Sequence, residues 1–146
     1  SAPVRGVVDY AHKPEAITAV LDSLRESTPG RVIAVLGAGG DRDRSKRPLM
    51  GAAAAHGADL VVVTDDNPRT EDPTRIRDEV AAAVRGVPCR NIPGRERAVR
   101  EAAGLAAPGD TIALLGKGHE TVIETADGPV ESDDRELLAR ALRETG

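Results

Sequence analysis

Leu60-Val61-Val62-Val63-Thr64-Asp65-Asp66-Asn67-Pro68-Arg69 is the stretch that decides the fold of this chain. A short apolar run rich in β-branched residues and ended abruptly by polar ones reads as a strand buried on both faces, as in a parallel sheet. The polar residues after it then lie at the strand's carboxyl end, the edge at which open α/β sheets bind ligands. Pro68 fixes its own φ and biases Asn67 away from the right-handed helical region, so the turn is stiff. A stiff turn carrying a carboxylate, an amide and a guanidinium can recognise a small molecule that bears both ammonium and carboxylate groups. An Asx-Pro turn with a solvated arginine satisfies the same four residues.

Outward from that stretch, strand and helix patterns alternate. Strands are expected over 4–10, 31–36, 59–64, 89–92 and 111–115. Helices are expected over 14–26, where Ile17, Val20, Leu21 and Leu24 share one face, over 47–56, and over 95–107. Asp72-Pro73 pairs an N-cap with proline at the first helical position, opening a helix lined by Ile76, Val80 and Val84 and stopped by Gly86. Residues 121–124 and 129–131 flank Asp127-Gly128, a hairpin signal with antiparallel pairing. Asp133 or Asp134 caps a last helix carrying Leu137, Leu138 and Leu142. The alternation predicts one α/β domain over 1–146: a doubly wound, mostly parallel sheet with helices on both faces and one antiparallel hairpin.

Composition narrows the function. The chain has 146 residues, one Tyr, no Phe and no Trp, so its core is built from Val, Leu, Ile and Ala, and a base-stacking platform for nucleic acid is excluded. The net charge of −4 gives no electrostatic case for nucleic acid or an anionic membrane. A single cysteine, Cys89, rules out an intrachain disulfide framework and fits a reducing compartment. No signal peptide and no bilayer-length apolar run is visible, so a cytoplasmic protein is expected.

Four polar clusters follow four strands: Asp9-Tyr10-Ala11-His12, Gly39-Gly40-Asp41-Arg42, Asp66 to Arg69, and Gly116-Lys117-Gly118-His119-Glu120. In a parallel sheet all four emerge on one edge, which argues for one composite site. Several motifs fail. Gly37-Ala38-Gly39-Gly40-Asp41-Arg42 has arginine where a dinucleotide fingerprint needs its third glycine, and Gly116-Lys117-Gly118 lacks the Ser or Thr that follows lysine in a P-loop. His12, His56 and His119 have no metal-ligand spacing with Cys89, so no metal site is expected; His56 complements its helix's dipole. Arg42-Asp43-Arg44-Ser45-Lys46-Arg47 reads either as a solvated charge-mixed loop or as guanidinium grips for carboxylate or phosphate beside a helix start. Lys117 and Glu120 could form a surface pair, although the flanking glycines suggest a close backbone approach. Asp9 lies too far upstream to cap the helix from Pro14, which leaves it free to face a ligand.

Five segments in order, Val8 to Pro14, Gly39 to Asp43, Lys46 to Met50, Thr64 to Arg69 and Gly116 to Glu120, resemble the C-terminal domain of the Mur ligases over essentially the whole chain. The resemblance is to the branch that adds the third residue of the peptidoglycan stem peptide, and it implies a Rossmann-like fold. Asp66-Asn67-Pro68-Arg69 is similar to the recognition motif of the members that add meso-diaminopimelate. That ligand's distal carboxylate needs a cation, whereas the ammonium that ends lysine would be repelled by Arg69. The resemblance assigns Arg42 to a carboxylate, Gly116 (through its backbone) and Glu120 to the distal amino-acid centre, and Asp66, Asn67 and Pro68 to the same pocket. It sets Asp9 and His12 near ATP and leaves Lys46 between the acyl phosphate and solvent. It further implies an N-terminal domain for UDP-N-acetylmuramoyl-L-Ala-D-Glu and a central P-loop domain for ATP and Mg²⁺, neither of which fits in 146 residues. An excised domain of a monomeric enzyme, inactive alone, is therefore expected. The chemistry the resemblance implies for the whole enzyme is ATP-dependent: the D-glutamyl carboxylate becomes an acyl phosphate that the diaminopimelate amine attacks.

Three rivals share features with this chain. Related amide ligases (the lysine-adding enzyme, cyanophycin synthetase, folylpolyglutamate synthase) lack the combination of Asp66 to Arg69 with Gly116 to Glu120. A free-standing amino-acid binding module would need no apolar face for missing domains. A nucleotide-binding regulatory domain is opposed by the failed glycine fingerprints.

Overall fold

The computed structural model describes residues 3–145. Five parallel strands, β1 (Arg5–Asp9), β2 (Val32–Leu36), β3 (Leu60–Val63), β4 (Cys89–Asn91) and β5 (Thr111–Leu115), form a sheet in the order β1-β5-β2-β3-β4. Between them run α1 (Pro14–Ser27), α2 (Lys46–Gly57), α3 (Pro73–Ala81) and α4 (Arg95–Leu105). After β5 come β6 (Val122–Thr125) and β7 (Gly128–Glu131), paired antiparallel as a separate two-stranded sheet, and then α5 (Asp134–Thr145).

β2, β3 and β5 are buried along their whole length because both faces of the sheet are covered. Alternate residues serve opposite cores. Val32, Ala34, Leu36, Val61 and Val63 meet Ile17, Leu21, Met50, Ala54 and Val80 from α1–α3. Ile33, Val35, Val62 and Leu114 meet Ala98, Val99, Ala102 and Leu138 from α4 and α5. The small alanines let the helix axes come close, as the aromatic-poor composition requires.

The layering positions the site. The chain leaves β1, β2 and β3 toward helices on one face but leaves β5, through the hairpin, toward α5 on the other. β5 pairs with β1 and with β2, so the strand ends around β5 form a topological switch point with a crevice between the diverging connections.

Several ends fall one or two residues from the sequence reading, and two of the differences have a structural cause. α3 ends at Ala81, and the next residues tighten through Ala83 N–H to Val80 O (3.2 Å) and Val84 N–H to Ala81 O (3.0 Å), so Val84 packs on the core from outside the helix. The hairpin turns on Ala126-Asp127, with Gly128 (φ +108°) already paired to Thr125; the glycine's left-handed backbone opens β7 rather than occupying the loop.

Candidate functional site

Backbone proximity builds the rim. Asn67 and Arg69 both take left-handed backbone (φ +40° and +52°), which turns the chain sharply on either side of Pro68. Asn tolerates that region; Arg69 is held in it by its N–H to Glu124 O (2.9 Å) and by a bridge to Thr125. The β2 loop closes on this turn: Gly40 N–H donates to Asn67 O (2.9 Å), and the Arg69 guanidinium donates through Nη1 to Gly40 O (2.9 Å). A Cβ at Gly40 would stand 1.9 Å from Pro68 O, so the glycine-rich run exists to let two loops touch. That explains a glycine cluster that fits no dinucleotide fingerprint. At Gly116 (φ +113°) a Cβ would meet Asp66 Oδ2 at 2.6 Å, which places the start of the β5 loop against the same acid.

These contacts enclose a cleft of about 450 Å³ at the carboxyl edge of the sheet, lined by all four loops. A wider depression on α5, lined by Asp133, Arg135, Glu136, Ala139, Arg140 and Arg143, is open and belongs mostly to the surface of one helix. Arg42, Lys46, Asp66, Asn67, Arg69, Gly116 and Glu120 line the cleft together with Tyr10 and His12. Pro68 is buried behind the turn and borders a different groove, so it shapes the site without facing it. Asp9 does not line the cleft: its Oδ1 accepts Ala11 N–H (2.8 Å), an Asx turn that ends β1 and uses one oxygen of the carboxylate expected to be free. His12 is exposed, with Nδ1 3.0 Å from Tyr10 O and its ring edge-on to Tyr10 at 4.7 Å between centroids.

The basic run from Arg42 to Arg47 divides into different jobs. Arg47 is fully buried; its Nη1 and Nη2 donate to Glu71 (3.1 and 2.8 Å), to Glu79 (2.9 Å) and to Gly39 O (3.1 Å). Arg44 donates to Glu79 as well. These two guanidiniums, Arg44 foremost, hold the Glu79 carboxyl down to about 2. Arg42 is exposed on the cleft and bonds only its neighbour's Asp41 O (3.0 Å) among the described residues. The run is therefore neither wholly solvated nor wholly a grip, because Arg47 buckles the β2 loop to α3 and Arg42 is left over.

Two buried cations were not legible as such in the sequence. Lys117 pairs with Glu120 but not at the surface: it is fully buried, with Nζ 3.2 Å from Asn67 Oδ1 and 3.7 Å from both Asp66 Oδ1 and Glu120 Oε1. Its flanking glycines were the only signal. Arg95 is buried against Asp134 (Nε 2.8 Å, Nη2 2.6 Å) and donates to Asp65 O (3.1 Å) and Leu115 O (2.9 Å), tying the ends of β3 and β5 together behind Asp66. Asp133, not Asp134, caps α5 by accepting Arg135 N–H (3.0 Å). Burial pushes the Asp66 carboxyl up, more than the Arg95 and Lys117 charges draw it down.

The cleft thus carries acceptors, Asp66 and Glu120, and donors, Arg42 and Arg69, brought together from the loops after β2, β3 and β5. Such a division suits a ligand end with an ammonium and a carboxylate on one centre. Among the described residues, no group of three or more His, Cys, Asp or Glu side chains is placed to hold a metal ion, and no helix is long and apolar enough to cross a membrane.

Comparison with known proteins agrees with this geometry. Residues 1–118 match the family model described as Mur ligase, glutamate ligase domain. A UDP-N-acetylmuramoyl-L-alanyl-D-glutamate–2,6-diaminopimelate ligase from Thermosynechococcus vestitus is 49% identical over 139 residues, 94% of this chain and 28% of that protein. A protein of the same name from Corynebacterium efficiens is 50% identical over 147 residues, 95% of this chain and 28% of its own length. A solved structure of a ligase with that name superposes with a TM-score of 0.93 at 39% identity, covering 99% of this chain and 30% of the other. The chain spans under a third of the length of these relatives. It belongs to the Mur ligase family, as the C-terminal, glutamate ligase domain.

Proposed function

We propose that this chain is the amino-acid-binding domain of an ATP-dependent ligase that joins meso-diaminopimelate to UDP-N-acetylmuramoyl-L-Ala-D-Glu in peptidoglycan synthesis. The observation that carries the reading is the pairing of an acceptor half and a donor half in one cleft at the switch point. Diaminopimelate has an amino-acid centre at each end. The distal one fits between Asp66 and Glu120, which accept from its ammonium, and Arg42 and Arg69, which donate to its carboxylate. The proximal amine then projects out of the cleft toward the acceptor.

Names of relatives support the substrate class. ATP, with Mg²⁺, would activate the acceptor carboxylate; Gly116-Lys117-Gly118 lacks the Ser or Thr of a P-loop, so in this reading the nucleotide is held mainly by another domain. His12 and Tyr10 on the cleft rim could touch it, as could Lys46. The work of this domain is to bind the amine donor, orient it and exclude water, and positioning of that kind lowers a barrier by several kcal/mol. Alone it should form no peptide bond. In the cell it would act as one domain of a monomeric cytoplasmic enzyme.

Calorimetric titration of the chain tests the reading. Meso-diaminopimelate should bind, and L-lysine, which lacks the distal carboxylate, should bind at least about tenfold more weakly, the loss of a charged hydrogen-bonded partner. Equal binding of the two, or binding of neither, would sink the assignment.

A further inference from the structure

Lys117 does not belong to the cleft surface, yet it touches three of the residues that do. Its ammonium brings three N–H donors into a site with no solvent exposure, and a buried cation persists only where its partners repay desolvation. Those partners are Asn67 Oδ1 at 3.2 Å and the carboxylates of Asp66 and Glu120, each at 3.7 Å.

The consequence for Asn67 is geometric. Its Oδ1 also accepts Glu124 N–H at 2.9 Å. Two donors converge on that atom, so it is the carbonyl oxygen, and the amide cannot be turned end for end without losing both bonds. The Nδ2 group occupies the other branch, and no described hydrogen bond uses it. Asn67 lines the cleft, so this leaves an unspent N–H₂ donor on the same loop as Arg69.

We propose that Lys117 is a positioning residue that sets ligand specificity: its buried ammonium locks the Asn67 amide with the oxygen inward and the N–H₂ available to the cleft, and it holds Asp66 and Glu120 apart as acceptors. The inference rests on the amino-acid reading above and deepens it. A ligand end with an ammonium alone leaves the donors of Asn67, Arg42 and Arg69 unanswered. Removing the Lys117 charge leaves the Glu124 N–H as the sole donor holding the Asn67 oxygen inward and takes away the cation between Asp66 and Glu120. Both changes favour the lone ammonium.

The test compares the affinities of this chain for meso-diaminopimelate and L-lysine before and after Lys117→Met, which keeps an unbranched side chain and removes the charge. The ratio of the two affinities should fall at least about tenfold. A merely structural role would weaken both ligands equally and leave the ratio intact, and that result would overturn the proposal. Should Lys117→Met fail to fold, Asn67→Asp decides. It preserves the oxygen facing Lys117 and deletes the N–H₂, so the ratio should collapse in the same direction; an unchanged ratio refutes the role assigned to the amide. If the unsubstituted chain shows no preference at all, the amino-acid reading fails first and takes this inference with it.

Discussion

The two edges of the sheet use the same side chain for opposite purposes. At the amino edge, Asp110 accepts from Arg31 N–H (2.7 Å), Ala107 N–H (2.8 Å) and the Arg31 guanidinium (3.1 and 3.2 Å), so both its oxygens are consumed by the chain. Asp59 there accepts Val32 N–H (2.8 Å) and Arg25 (2.7 Å). At the carboxyl edge, Asp66 is buried too but accepts no described hydrogen bond, and its nearest paired cation is Lys117 at 3.7 Å. Burial works to raise the Asp110 carboxyl, yet the hydrogen bonds from Ala107 and Arg31 outweigh it and hold it below the ordinary range. At Asp66 burial wins and the carboxyl is pushed up. An acid whose oxygens are spent on the backbone staples strands; a buried acid with acceptor capacity left is poised for a ligand.

The largest expected effect breaks the amino edge alone. Asp110→Ala leaves the N–H groups of Arg31 and Ala107 without their acceptor and should cost about 2–4 kcal/mol in urea unfolding, with affinity for meso-diaminopimelate unchanged. A stability loss under 1 kcal/mol would mean that the staple is ornamental. The reverse holds at the other edge. Asp66→Asn should weaken meso-diaminopimelate about tenfold, roughly 1.4 kcal/mol, while stability stays within about 1 kcal/mol, because no backbone donor loses its partner.

The smallest effect is in the pH dependence and has opposite signs at the two edges. Asp110, with a lowered folded-state pKa, contributes stability above the ordinary carboxylate range that is lost as pH falls. Asp66, with a raised one, contributes stability at low pH that is lost as pH rises through its folded value. Urea midpoints measured against pH should therefore lose part of their acid-side fall in Asp110→Asn and part of their decline above the carboxylate range in Asp66→Asn. Parallel profiles for the two variants would contradict the contrast.

The periodic elements were legible because each rests on a local pattern. Unbroken apolar runs mark β2, β3 and β5, and Asp72-Pro73 marks the start of α3, where Asp72 Oδ1 accepts Thr74 N–H at 2.9 Å. The gathering of four loops on one edge was legible too, since parallel strands leave no other arrangement. What stayed hidden depends on residues far apart in the chain. Arg95 and Asp134 are 39 positions apart, and each alone resembles an ordinary helix-start charge. Lys117 meets Asn67 from 50 positions away, and composition says only that lysines are usually exposed. Asp9 went the other way: an Asx turn two residues long consumes an oxygen that looked available. Short-range hydrogen bonding and long-range charge burial are both invisible to periodicity.

The most direct measurement is a ¹H–¹⁵N NMR titration of the chain with meso-diaminopimelate, reading both edges of the sheet in one experiment. Shifts should concentrate at Arg42, Asn67, Arg69, Gly116 and Glu120, including the Asn67 side-chain amide, while Arg31, Ala107 and Asp110 stay still. Shifts spread over both edges, or confined to the amino edge, would contradict the account.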